Sequence, residues 1–116
     1  MRNMSFSLTT EQVRDHSKTV TRRLGWWNLQ PGTILQAVEK AQGLRKGEHV
    51  TPICLIRVVS ARRELLVDLF IHGPADVKRE GFPELTTTQF CEMFEKANHC
   101  DRYAQVNRIE FEYVDE

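Results

Sequence analysis

The sequence predicts an α+β domain, a small curved sheet or barrel built mostly from short strands with two or three helices beside it. Three observations carry this. From Ile53 to Val59 the chain is almost continuously apolar, the pattern of a strand buried on both faces. From Val106 to Val114 it alternates, with Ile109, Phe111 and Tyr113 facing one way and Arg108, Glu110 and Glu112 the other. Between them, Phe90, Met93, Phe94 and Ala97 recur at helical spacing and define one buried face.

The remaining elements follow in chain order. Ser5 to Leu8 reads as a short strand. Thr9 with Gln12 three residues on has capping-box spacing and opens a brief helix ending near His16. Lys18 to Arg23 is rich in β-branched residues and reads as a strand or an extended loop. Gly25 and the Pro31-Gly32 pair punctuate the segment holding Trp26 and Trp27. Thr33 to Glu39 is a strand, and Gly43 to Glu48 a polar turn. The strand from Val50 to Ala61 must carry Pro52 at its start or on an edge, because proline has no N–H for an inner ladder. Gly73-Pro74 starts a helix that Gly81 ends. Thr86 and Gln89 repeat the capping-box spacing ahead of the amphipathic helix.

At 116 residues, 41% hydrophobic and 28% charged, the chain has the composition of one soluble globular domain spanning 1–116, neither disordered nor membrane-like. No run approaches the ~20 apolar residues that span a bilayer, and the N-terminus lacks the apolar stretch of a signal peptide. Cys54, Cys91 and Cys100 are an odd set without C-x-x-C spacing, so the expectation is a reducing cytoplasm with no disulfide framework, metal or cofactor. Cys91, His99 and Cys100 match no common zinc spacing. His16 and His72 sit beside turns and read as surface or capping residues.

The net charge is zero, but residues 1–63 hold eleven Lys/Arg against four Asp/Glu, leaving +7, while the remainder holds five against twelve, leaving −7. Such asymmetry points to a basic face for an anionic partner unless the fold interleaves the halves. The densest part is Ser17 to Trp27, where Lys18, Arg22 and Arg23 stand beside the hydroxyls of Thr19 and Thr21 and two tryptophans. Cations hold phosphate, and aromatic rings stack on bases for ~1–3 kcal/mol each. The alternative is that the rings plug the core and the cations are solvated. On a regular strand Lys18 and Thr21, three residues apart, point to opposite faces, so they meet only if the chain bulges or turns. The paired cations Arg45, Lys46, Arg62 and Arg63 near strand ends either extend a phosphate track or form a solvated edge.

Lys18-Thr-Val-Thr-Arg-Arg23, Leu24-Gly-Trp-Trp27, Pro31-Gly32, Ala37-Val-Glu39, Val58-Val59 and Glu80-Gly-Phe82 together resemble an ASCH domain, over nearly the whole chain from about Ser5 to Tyr113. The resemblance is to a small single-domain member of bacterial or prophage type. It implies a PUA-like small mixed β-barrel and a cleft bearing the Lys-Thr segment. The family is associated with RNA binding, which implies an RNA or nucleotide ligand held by Lys18, Thr19, Thr21, Arg22, Arg23 and Glu80, with Trp26 or Trp27 as a stacking platform. Some small bacterial members are amidohydrolases of cytidine acylated at its exocyclic amine, using a lysine, a threonine three residues on and a later glutamate; Lys18, Thr21 and Glu80 occupy those positions. The insert from Gly25 to Leu29 departs from the shortest hydrolase members. Other members are reported as ribonucleases, but no His pair suited to acid–base work is evident here.

The chemistry constrains these roles. Thr21 needs a base within ~3 Å to act as a nucleophile. Lowering Lys18 from ~10.4 to a useful ~7–8 costs about 4 kcal/mol. Burial and the neighbouring arginines push that way, and a direct pair with Glu80 pushes back. Nucleic-acid binding predicts an affinity that falls steeply with salt, and hydrolysis of a free nucleoside little salt dependence.

Overall fold

The structure is a computed structural model describing residues 1–40 and 47–115. Five strands form one mixed sheet: β1 (Asn3–Ser5), β2 (Val20–Arg23), β3 (Ile34–Val38), β4 (Pro52–Leu65) and β5 (Gln105–Tyr113), in the order β1-β3-β4-β5-β2. All neighbours are antiparallel except β1 on β3. The helices are α1 (Thr10–Arg14), α2 (Leu69–His72), α3 (Pro74–Arg79) and α4 (Thr87–Asn98), with a 3-10 turn at Leu66–Asp68. This is the expected α+β architecture with one more helix than predicted; α2 is too short to leave a periodic signal.

Two bulges in β4, at Ile53 opposite the Ala37–Val38 step of β3 and at Val59 between Val58 and Ser60, add local twist and curl the sheet. The curl brings the edge strands within reach of one side chain: Arg23 on β2 donates from Nη2 to the Ser5 carbonyl on β1 at 2.6 Å. The two edges of the sheet, which share no strand pairing, form a seam bridged by a guanidinium. Inside the curl lie Met4, Phe6, Leu35, Ile56, Val58, Ile109 and Phe111. A second core, of Leu66, Leu69, Val77, Phe90, Phe94 and Val106, lies under the helices.

Several elements differ from expectation. The first strand is Asn3–Ser5 and not Ser5–Leu8, because β1 pairs with β3 from Asn3↔Gln36 to Ser5↔Val38 and the chain then turns into α1. At α1 the Thr9 side chain makes no cap, and the Gln12 side chain, the other half of a capping box, donates instead to the Gly81 carbonyl at 3.1 Å. The Ile53–Val59 run is not buried on both faces: Ile56 and Val58 are, while Val59 is exposed at the bulge. Pro52 does open β4, which extends to Leu65. On β5 the alternation holds, but its charged face is not all solvent, because Arg108 is buried beneath α3. Most of the turn at Gly43 to Glu48, with Arg45 and Lys46, lies outside the described residues. No helix among the described residues is long and apolar enough to cross a membrane.

Candidate functional site

The Lys-Thr segment is pinned from three sides before it joins the sheet. Lys18 N donates to the Gln12 carbonyl on α1 (3.1 Å), and Thr19 N to the Arg79 carbonyl on α3 (2.8 Å). From β5, Phe111 N donates to the Thr19 carbonyl (2.9 Å) and the Tyr113 hydroxyl to the Lys18 carbonyl (2.5 Å). The ladder starts only at Val20, so Lys18 is free of strand alternation and lines the same cavity as Thr21. Within β2, Thr21 pairs with Ile109 and Arg23 with Asn107, on the inner face; Arg22 pairs with Arg108 on the outer face, under α3.

Glu80 caps the C-terminal end of α3 and faces both sets of cations. Lys18 Nζ donates to the Glu80 carbonyl (2.6 Å) and to Glu80 Oε1 (2.9 Å); Arg22 Nη1 donates to Oε2 (3.0 Å). Gly81 follows with φ +103°, and a Cβ there would stand 3.1 Å from Gln12 Cβ, so glycine is what lets α1 approach this turn. Arg22 also pairs with Asp76 and with Glu64 (3.3 Å), and Arg108 donates twice to Asp76 (2.7 and 3.1 Å). Lys18, Arg22 and Arg108 against Glu64, Asp76 and Glu80 make a nearly fully buried network with three charges of each sign. Arg22 Nε is buried there without an acceptor among the described residues.

The electrostatics follow from this packing. Burial lowers the Lys18 pKa below the ordinary lysine value, with the Glu80 carboxylate opposing and the two arginines adding to the fall. Burial alone would raise Asp76, but hydrogen bonds from Arg108 and Arg22 win and hold it well below the usual carboxylate range. Burial lowers Arg23 to about 10, only partly offset by the field of Glu80.

A cavity of about 670 Å³ opens between the two edge strands. Its lining combines the polar groups of Lys18, Thr21, Arg23 and Glu80 with the apolar side chains of Phe82 and of Phe90, Met93 and Phe94 on α4. The residues expected to form a buried helix face thus also line the cavity. Trp26 lines the cavity and carries the Arg2 guanidinium 4.1 Å from its ring centroid. Trp27 does not line it; its ring sits under Arg63 at 5.1 Å. Thr19 is half-buried and likewise outside the lining. Arg62 interacts with Glu64 and His72 on the surface. Thr21 Oγ1 accepts from Arg23 Nε at 3.0 Å, and a guanidinium cannot take the proton that a nucleophilic hydroxyl must lose.

Sequence reasoning missed Asp76, Glu64 and Arg108. Asp76 resembles any acid in the first turn of a helix, and Arg108 any outward residue of an alternating strand; only the pairing of β2 with β5 beneath α3 joins them. Among the described residues no group of three His, Cys, Asp or Glu is placed to hold a metal ion, and Cys91 is buried against the helical core.

No family model matches the chain, and no curated protein does. Two solved structures are similar in shape. One is a protein of Enterococcus faecalis V583 described by the family model DUF984, with 17% identity and a TM-score of 0.60 over 94% of this chain and 68% of that one. The other is an ASCH domain from Lactobacillus crispatus JV V101, with 13% identity and a TM-score of 0.60 over 97% of this chain and 79% of that one. With the five-stranded sheet and its helices, these matches show an α+β fold of the ASCH type.

Proposed function

We propose that the cavity binds RNA or a nucleotide, with a base against Trp26 and its polar atoms read by Lys18 and Thr21. Glu80 and Arg22 hold Lys18 in place. One observation supports this above the others: a single cavity is lined by an indole and by hydrogen-bond donors held by their own partners. A pocket with an apolar wall and a few fixed polar groups is the general form of a small-ligand or base site. Titration of labelled single-stranded RNA at low ionic strength tests the reading. Binding is expected, with Trp26→Ala weakening it by about 1–3 kcal/mol and Trp27→Ala leaving it nearly unchanged. No binding at low salt overturns it.

A second reading is favoured by the shared cavity of Lys18, Thr21 and Glu80: hydrolysis of the acyl group from an N4-acylated cytidine. Burial lowers the Lys18 pKa in the direction a base needs, while Glu80 works against it. The partner of the Thr21 oxygen is Arg23, so Lys18 would have to be released from Glu80 to serve as that base. Acetate release from N4-acetylcytidine by the same preparations decides this reading. Turnover by Lys18→Ala and Thr21→Ala variants equal to that of the parent overturns it.

A further inference from the structure

The cations at the cavity are not alike. Lys18 and Arg22 are neutralised by carboxylates, whereas Arg23 has no carboxylate partner among the described residues. A guanidinium has five N–H groups. Arg23 uses Nε on the Thr21 oxygen and one Nη2 hydrogen on the Ser5 carbonyl, both neutral acceptors, and one face lies over the Phe6 ring at 4.8 Å. Three N–H groups remain on a side chain that lines the cavity. The surroundings add donors. Thr21 Oγ1 accepts from Arg23, leaving its own O–H to point elsewhere, and Lys18 Nζ has one hydrogen beyond the two given to Glu80. Both Glu80 oxygens already accept from cations. At the mouth, Lys40 is exposed and has no acidic partner among the described residues.

We infer that Arg23 is the seat of a phosphate monoester on the ligand, with the Thr21 hydroxyl and the free Lys18 N–H as further donors and Lys40 at the entrance. A partly buried cation in low dielectric whose hydrogen bonds go only to neutral acceptors is stabilised by an incoming anion far more than an exposed one is. The lowered Arg23 pKa has the same origin, and at about 10 the group is still charged near neutral pH. Phosphate suits the site better than carboxylate because it offers three anionic oxygens to three separate donor groups. Arg23 also bridges the seam, so the same side chain that ties β2 to β1 would sense the bound anion. This deepens the nucleotide reading and rests on it only for what the phosphate is attached to.

The full chain tests this without that reading. Inorganic phosphate is expected to raise the melting temperature saturably over chloride at matched ionic strength, as mass action on a folded-state site requires. In calorimetry cytidine 5′-monophosphate is expected to bind at least about tenfold tighter than cytidine. Arg23→Gln should abolish both effects and Arg23→Lys should retain part of them. If Arg23→Gln does not fold, the parent and the lysine variant still decide. Stabilisation by phosphate without any preference for nucleotide or RNA supports the anion site and sinks the nucleotide reading. Equal binding of nucleoside and monophosphate overturns the anion site and leaves that reading standing. Acetate stabilising as well as phosphate, or phosphate no better than chloride, also overturns it.

Discussion

Asp76 solves a problem that β2 and β5 create. Their register sets Arg22 directly opposite Arg108, and like charges facing each other across a ladder are destabilising. The Asp76 carboxylate, fully buried, accepts from both guanidiniums and converts the repulsion into a bridge. A buried ion pair contributes little net stability over an apolar substitute, but deleting one partner leaves an uncompensated charge and costs ~3–5 kcal/mol. Asp76→Asn is therefore expected to lower the free energy of unfolding by that amount in a denaturant titration. A loss under ~1 kcal/mol would show that water reaches the two arginines. The pH dependence has a definite sign. A carboxyl depressed in the folded state contributes stability that is fully present above its unfolded pKa of ~3.9 and is lost as pH falls towards the folded value. The parent should lose stability steeply below about pH 4, and Asp76→Asn should show a shallower acid limb.

At the scale of elements, the turn that ends α3 is what delivers Glu80 to the cavity. Gly81 adopts φ +103° with its hydrogen facing Gln12, whose side chain donates back to the Gly81 carbonyl. Gly81→Ala meets both a left-handed backbone and a 3.1 Å contact, so it should cost about 1–3 kcal/mol and weaken ligand binding by shifting Glu80. Unchanged stability by thermal melting would mean the turn relaxes freely. This turn also shows where the sequence is readable. Thr86 and Gln89 make both bonds of their capping box, at 3.1 and 2.9 Å, because nothing outside α4 competes for them. Thr9 and Gln12 have the same spacing, yet Gln12 is taken by a carbonyl far along the chain, which no local pattern can signal. Strand periodicity gave β5 its inner face correctly and left Arg108 on the solvent side, since α3 covers that side only through tertiary packing. For the cavity, the Lys18, Thr21 and Glu80 positions were legible from their resemblance to a known pattern. The seam contact of Arg23 with Ser5 depends on the curl of the whole sheet and was not.

On the scale of the molecule, the fold cancels part of the charge asymmetry between the halves of the chain. Because the Lys18–Arg23 segment of the basic half packs under α3 of the acidic half, and β4 pairs with β5, Lys18 and Arg22 meet Glu80, Asp76 and Glu64, and Arg57 meets Glu112. A cation already paired with a carboxylate neutralises no phosphate and so displaces none of the counterions condensed on the RNA. The steep salt dependence expected from the basic half therefore has to be revised downwards. Among the described residues at the cavity, Arg23 and Lys40 are the cations without a carboxylate partner, and the slope for single strands is ~0.7 per phosphate neutralised. Two phosphates give a log–log slope of about −1.4 for RNA binding, well short of the value of a broad basic track. Equilibrium titrations over a range of potassium chloride concentrations measure this directly. A slope near −4 or steeper would require a phosphate path beyond the cavity, and the outer-surface cations Arg62 and Arg63 would be the first to replace. A shallow slope that flattens further in Arg23→Gln would instead place the electrostatic part of binding at the seam between β1 and β2.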